Sequence, residues 1–339
     1  MDSELKNKKV LNAVAGSGKT SFIINQLSND DNKRILIITY TTANQENLKR
    51  KVIGKFGHIP NNIFIFGYFE FLLKFIVKPL CPYTVRDICF ENPHFRDRNP
   101  FTKDKKMIYS NKVAKYILEY LPDFKKRMDT YFDEVYIDEM QDLGSDDFLW
   151  MLSLANLQIP VTLVGDFFQA TFSSSRRGNH LSNLYSNLNL YQRKIQESGF
   201  HFDGTTLVYS HRCTPTVCNF VKDKVGISIE SANASHSEIG LTSDQVEMIN
   251  ILENKRIKKL FYQNAKRFKV NSENWGNSKG SSYEHVCVVL NETTYKLFEK
   301  NKLIDLAAIT KSKFYVACTR TKGDLHFIRE RDIPADYKL

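Results

Sequence analysis

Ala13-Val14-Ala15-Gly16-Ser17-Gly18-Lys19-Thr20 stands between two runs of different periodicity. Ahead of it, Lys9-Val10-Leu11-Asn12 has the pattern of a short buried strand. Behind it, Ser21-Phe22-Ile23-Ile24-Asn25-Gln26-Leu27 has that of the first turns of a helix. Strand, small-residue loop and helix in this order make a phosphate-binding loop. The backbone N–H groups of Gly16, Ser17 and Gly18 must turn inward around phosphate oxygens, which side chains would obstruct. The helix N-terminus adds partial positive charge. Lys19 can reach β- and γ-phosphates, and the Thr20 hydroxyl can hold Mg²⁺. Ala15, Gly16, Ser17, Gly18, Lys19, Thr20 and Ser21 are the expected nucleotide contacts. Kinases, GTPases and transporters share such a loop, so the loop alone establishes only that phosphate is bound.

The 339 residues suffice for two domains with cores of their own. With 42% hydrophobic and 25% charged residues, the composition is that of a soluble globular protein. The net charge of +10 suits a polyanionic partner such as nucleic acid, although excess lysine also serves solubility. The six cysteines form no C-x-x-C pair and read as reduced thiols, neither a zinc site nor a disulfide framework. No apolar run reaches membrane-spanning length, and Met1 to Lys6 carry no signal-peptide core. The expectation is a cytoplasmic protein that does not engage membranes.

Strand and helix patterns alternate along the chain. Arg34 to Tyr40 is a continuous apolar run suited to a parallel strand buried on both faces. Thr42 to Ile53 reads as a helix, Ile63 to Phe66 as a strand and Tyr68 to Val77 as an apolar helix. Cys81 to Thr102 reads as an irregular excursion. Asp104 to Tyr120 is expected to be one helix capped by Asp104. Glu134 to Asp138 and Pro160 to Asp166 are strands that end in acids, which suits carboxylates at the ligand-binding edge of a parallel sheet. Ser145 is a candidate cap for a helix to Leu154. Thr214-Pro215 is a good helix start. Val246 to Phe268 is expected as a helix, His285 to Leu290 as a strand, Ile304 to Arg320 as a helix and Asp324 to Ile328 as a last strand. The expectation is two α/β domains in tandem, with a seam near residues 195–205.

Two further motifs carry chemistry. Asp138-Glu139-Met140-Gln141-Asp142 follows a strand. A nucleoside triphosphatase needs one carboxylate for Mg²⁺ and another to orient and deprotonate water; Asp138 and Glu139 offer both. In Gly165-Asp166-Phe167-Phe168-Gln169, Gln169 could sense the γ-phosphate, although by itself the segment is better read as a polar turn after a strand.

G-S-G-K-T, D-E-M-Q-D and G-D-F-F-Q, in this order, resemble motifs I, II and III of superfamily 1 helicases of the UvrD/Rep/PcrA type. Thr39-Tyr40-Thr41-Thr42-Ala43 resembles the family's T-F-T-x-x-A segment, which touches single-stranded DNA. Phe66-Gly67-Tyr68-Phe69 stands where the next DNA-contacting segment falls. His211-Arg212 matches a Tyr-Arg pair, Ser278-Lys279-Gly280 resembles motif V, and Tyr315-Val316-Ala317-Cys318-Thr319-Arg320 resembles motif VI. The resemblance covers residues 8–329.

It implies an α/β fold of two RecA-like domains with parallel sheets, 1–200 and 201–339, with the nucleotide in a cleft between them. It implies Arg212 and Arg320 as arginine fingers on the γ-phosphate. His211 and Gly280 join the nucleotide contacts, with His211 in place of the base-stacking tyrosine. Thr39, Tyr40, Phe69 and Phe172 are the candidate strand contacts, and Arg176-Arg177 a candidate phosphate contact. The implied activity is a monomeric, ATP- and Mg²⁺-dependent single-stranded DNA translocase or helicase moving 3′ to 5′, of the kind that serves DNA repair, with RNA as an alternative track. Another reading is an ATP-gated nucleic-acid-binding subunit that acts through a partner such as a nuclease. Several residues depart from the family: Asn274 and Gly276 replace a threonine and histidine, Ser282 replaces a glutamate, and Phe22 stands where an arginine flanks adenine. The segments that would hold the two accessory domains are short.

Overall fold

The structure is a computed structural model that describes residues 7–30, 32–91, 93, 98–171, 181 and 183–339. The chain divides into two compact units. The first gathers the described residues of Met1–Asn12, Lys19–Gly165 and Ser174–Gly204; the second gathers those of Ala13–Gly18, Asp166–Ser173 and Thr205–Leu339.

The first unit is built on a six-stranded sheet of β1 (Lys8–Asn12), β2 (Ile35–Thr39), β3 (Ile63–Gly67), β4 (Glu134–Asp138), β5 (Val161–Gly165) and β6 (His201–Asp203). The strands lie in the order β3-β2-β4-β5-β1-β6, and every pair is parallel. Ile35, Leu36, Ile37 and Ile38 of β2 are completely buried, as an apolar run in the middle of a parallel sheet requires. Helix α1 (Lys19–Gln26) follows the glycine loop, and α2 (Thr42–Phe56) follows β2. The Thr41 hydroxyl accepts from Asn44 N at 3.2 Å and starts α2. Gly57, at φ 81°, ends it by donating its N–H to Ile53 O. Beyond β3 the apolar run coils as α-helix Tyr68–Phe71, π-helix Leu72–Val77 and α-helix Lys78–Leu80. Its Phe71 packs with Phe75, Phe132 and Trp150.

The second unit has a five-stranded sheet: β7 (Ile239–Leu241), β8 (Ile257–Phe261), β9 (Ser272–Asn274), β10 (His285–Leu290) and β11 (Leu325–Arg329). Their order is β7-β11-β10-β8-β9, again all parallel. Helix α3 (Ala308–Cys318) lies on this sheet and buries Phe314, Tyr315, Val316, Ala317 and Cys318 completely. Its Phe314 packs on Trp275 and Phe327. All six cysteines are free.

Four local expectations change. Residues 104–120 do not form one helix. Asp104 accepts from Thr102 Oγ1 at 2.7 Å and Lys106 N at 3.1 Å, and Lys105 turns to φ 55°. The aspartate thus closes a turn rather than capping a helix. A short strand, Met107–Tyr109, comes next, and the helix starts only at Val113. Residues 246–268 split into helix Gln245–Glu253 and β8. There the sheet decides, because Ile257, Leu260 and Phe261 are buried in a strand paired on both sides. Ser145 makes no side-chain cap bond and sits at φ 55°, while Asp146 and Asp147 occupy the first helical turn. Ahead of α3, Leu303–Asp305 is a separate 3₁₀ turn.

Trp275 is completely buried and donates Nε1–H to Leu260 O at 2.8 Å. Trp275→Ala is expected to cost about 3–5 kcal/mol of stability, measured as a lower midpoint in urea denaturation.

Candidate functional site

In the first unit the chemistry gathers at the carboxyl end of β4. Asp138, 2% exposed, accepts from Thr20 Oγ1 at 3.1 Å and from Glu139 N at 3.0 Å. Burial pushes the Asp138 carboxyl up to about 7, and the Glu139 charge adds to the rise. Lys19 and the Thr20 hydrogen bond oppose it. The structure therefore brings Lys19, Thr20, Asp138 and Glu139 together around one carboxylate. Glu139 has φ 59° and ψ 43°, a left-handed conformation that costs a non-glycine residue on the order of 1 kcal/mol. Gln141 donates its amide to the Glu139 carboxylate.

Two participants escaped the sequence reading. Gln141 was visible only as a letter of the D-E-M-Q-D motif, and its hold on Glu139 needs the turn geometry. Lys51, on α2, is half-buried; burial lowers its pKa and the Asp138 charge works against that. It lies in none of the motif segments. Gly165 ends β5 where a Cβ would meet Gln141 Oε1, Met140 Cγ at 2.6 Å and Met140 N at 3.1 Å. The turn that carries Glu139 and Gln141 thus needs glycine beside it.

Ala13–Gly18 belongs to the second unit. Gly16 has φ 75°, and a Cβ on it would come within 2.7 Å of Ser210 Oγ and 2.8 Å of Arg212 Cβ. His211 N donates to Gly16 O at 3.0 Å, and Val14 N to Leu207 O at 2.9 Å. Ala15 N donates to the Tyr315 hydroxyl at 2.8 Å, and that hydroxyl donates to Asp166 Oδ2 at 3.1 Å. Gln169 Nε2 donates to the same oxygen at 2.8 Å. Burial, with Asp166 beside it, holds the Tyr315 phenol well above its ordinary range, so it stays a proton donor. Ser17 Oγ is buried and has no hydrogen-bond partner among the described residues.

Arg212 is partly buried and donates Nη1 to Thr319 O at 3.0 Å. Arg320 is 1% exposed; its Nε donates to Val316 O at 2.9 Å and its Nη1 to Ser281 O at 3.4 Å. Arg320 Nη2 also donates to Thr319 Oγ1 at 3.4 Å, so the two arginines meet on Thr319, at the end of α3. His211 and Ser21 are exposed, and Gly280 has φ 87° with open space where a Cβ would lie.

Tyr40 and Phe69 line a cavity of about 580 Å³ in the first unit, their ring centroids 5.9 Å apart. Thr39 is not part of that lining. It is completely buried in register with Asp138, and its hydroxyl has no partner among the described residues. Phe172, Arg176 and Arg177 lie outside the described residues.

A parallel sheet whose first strand runs into a glycine loop and a helix, with an acid ending a nearby strand, is the P-loop NTPase fold of helicases. The family described as the viral superfamily 1 RNA helicase core domain matches residues 84–329, well over half of the chain, and the chain belongs to that family. Two solved structures show the same fold. The arterivirus nonstructural protein 10 helicase in complex with DNA is 15% identical, with a TM-score of 0.51, over 98% of this chain and 64% of that one. The PRRSV helicase is 11% identical, with a TM-score of 0.50, over 100% of this chain and 56% of that one. This chain therefore spans less than two thirds of the helicases it matches. Comparison with curated proteins gave no match. The superfamily 1 resemblance holds, but its branch is the viral one; nothing supports the UvrD/Rep/PcrA type. Among the described residues, no helix is long and apolar enough to cross a membrane.

Tyr315→Phe keeps the ring and removes the hydroxyl between Ala15 and Asp166, leaving a buried N–H unpaired. It is expected to cost about 1–3 kcal/mol of stability by urea denaturation. A loss within about 0.5 kcal/mol, the level of an ordinary surface change, would show that this hydroxyl holds nothing.

Proposed function

We propose that this chain hydrolyses ATP and uses the cycle to move along, and separate, nucleic-acid strands. The observation that carries the reading is the Thr20–Asp138 hydrogen bond, one residue beyond the phosphate loop's lysine and one before Glu139. A hydroxyl and a carboxylate 3.1 Å apart are hard oxygen donors, which suit Mg²⁺. Among the described residues, no group of three or more histidine, cysteine or acidic side chains could hold a metal. The ion would accordingly take its other ligands from phosphate and water. Bound there, it would neutralise charge on the transferring phosphoryl group.

The chain's own residues supply the rest. The N–H groups of Gly16, Ser17 and Gly18 and the start of α1 bind phosphate, and α1 has no acid in its first turn to compete. Lys19 adds a cation. Glu139, oriented by Gln141, takes the proton of the attacking water. Gln169 is fixed on Asp166, and Arg212 and Arg320 are tied to the end of α3; in this reading all three sense the γ-phosphate. His211 would stack on the base. Thr39 carries a hydroxyl with no partner among the described residues, in register with Asp138, whereas Tyr40 and Phe69 face a cavity and are the better strand contacts.

The track is a single strand. The family is described from RNA helicases, and a structural neighbour was solved with DNA, so both chemistries enter the test. The 3′ to 5′ direction came with the UvrD/Rep/PcrA resemblance and loses that support with it. The assay is strand displacement on duplexes tailed at either end, in DNA and in RNA, beside ATPase rate with and without single strand. Stimulated hydrolysis and displacement are expected; hydrolysis indifferent to every strand would overturn the reading. Lys19→Ala is expected to abolish turnover. Glu139→Gln is expected to lower kcat by about 10²–10⁴-fold while nucleotide still binds, read by single-turnover hydrolysis and by binding of a fluorescent ATP analogue.

A further inference from the structure

The cavity of about 580 Å³ beside β3 is lined by Tyr40, Gln45, Phe69, Glu70, Phe90 and Asn111, among others. In a chain of net charge +10, none of the described residues lining it is lysine or arginine, and Glu70 is the charged one among them. Glu70 is paired with Lys74 at 2.8 Å, and the described lining itself contributes no cation to hold a phosphate. The cavity walls suit an aromatic ring. Phe69 and Phe90 meet at 5.2 Å between centroids and 87° between planes, and Phe90 is 68% exposed. A volume of this size accepts a small planar ligand.

We propose that the cavity takes an unstacked nucleobase and prefers bases that carry an exocyclic amino group. The proposal rests on the nucleic-acid reading above and adds base selection to it. The polar edge of the cavity is rich in acceptors. Gln45 spends its amide protons on Ile65 O at 3.2 Å and Glu70 Oε2 at 3.0 Å, which leaves its Oε1 to accept. Asn111 Oδ1 is buried and has no hydrogen-bond partner among the described residues. The Glu70 carboxylate accepts from Lys74 Nζ at 2.8 Å, Gln45 Nε2 and Gly67 N at 3.4 Å, three of the roughly four sites an ionised carboxylate offers. Acceptors need donors. Cytosine presents N4–H₂, and adenine and guanine carry amino groups as well, whereas thymine and uracil present O4, an acceptor, at the corresponding edge. The hydroxyls of Thr41, Thr42 and Ser110 donate or accept as required and do not discriminate.

The test is equilibrium binding of short labelled homopolymers at one fixed salt concentration, by fluorescence anisotropy. Oligodeoxycytidine is expected to bind about fivefold or more tightly than oligothymidine, and oligocytidine likewise against oligouridine. N4,N4-dimethylcytosine keeps the ring and removes the amino protons, so it should bind like thymine. Glu70→Gln with Asn111→Ala should reduce the cytosine preference. Phe90→Ala should weaken both strands alike, by about fivefold or more. Equal binding of cytosine and thymine strands, or a preference that survives N4-dimethylation, would overturn base selection while leaving strand binding intact. Failure to bind any strand would overturn the nucleic-acid reading beneath it. The dimethyl comparison uses the unaltered protein, so it decides even where a variant fails to fold.

Discussion

A carboxylate sealed from water is costly, and the first unit's site is arranged around one. Asp138 is 2% exposed, and burial works against its charge. What keeps it tolerable is local: the Thr20 hydroxyl, the Glu139 N–H and the nearby Lys19. Each of those groups depends on something larger. Thr20 is placed by α1, which begins where the glycine loop ends. Glu139 is held in a left-handed turn that leaves room for its neighbour only because Gly165 has no side chain. The order β2-β4-β5 sets all of these at one edge. A carboxyl raised toward neutrality by burial gains most from a cation, and this gives the proposed Mg²⁺ a physical reason to bind there.

The second unit solves a different problem, that of holding a loop of small residues in one shape. Glycine makes Gly16's conformation possible but contributes nothing to keep it. The loop is instead fastened from outside. Its amide at Ala15 donates to Tyr315, its carbonyl at Gly16 accepts from His211, and Ser210 Oγ and Arg212 Cβ press against the space a Cβ would need. Tyr315 also reaches Asp166, which Gln169 shares. One phenol therefore joins segments 149 and 300 residues from it in sequence.

Much of this was legible from letters alone. The buried run at Ile35–Thr39, the acid at the end of β4 and the Thr214 cap all follow from periodicity and capping chemistry. The misjudged stretches share a cause. Asp104 and Ser145 are side chains that bond equally well in a helix cap or a turn, so their neighbours choose. Ile257 to Phe261 is apolar enough for helix or strand, and only pairing with β9 and β10 selects strand. The helicase branch was misjudged because the matched motifs build phosphate and metal chemistry common to the superfamily. Departures such as His211 and Gly276 already stood apart from the UvrD/Rep/PcrA pattern.

By itself the sequence determined the strand–glycine loop–helix unit, the neighbouring acids at the end of β4, the parallel α/β class and the superfamily, because each rests on residues close in sequence with fixed local geometry. Tertiary structure alone decided that Gln141 grips Glu139, that Tyr315 pins the loop, that Arg320 is buried along α3, and that Glu70 and Asn111 share one cavity with Phe90. Those relations join side chains that no local period connects. They exist only once the sheets have brought their strand ends together, and a one-dimensional pattern carries no distance between such positions.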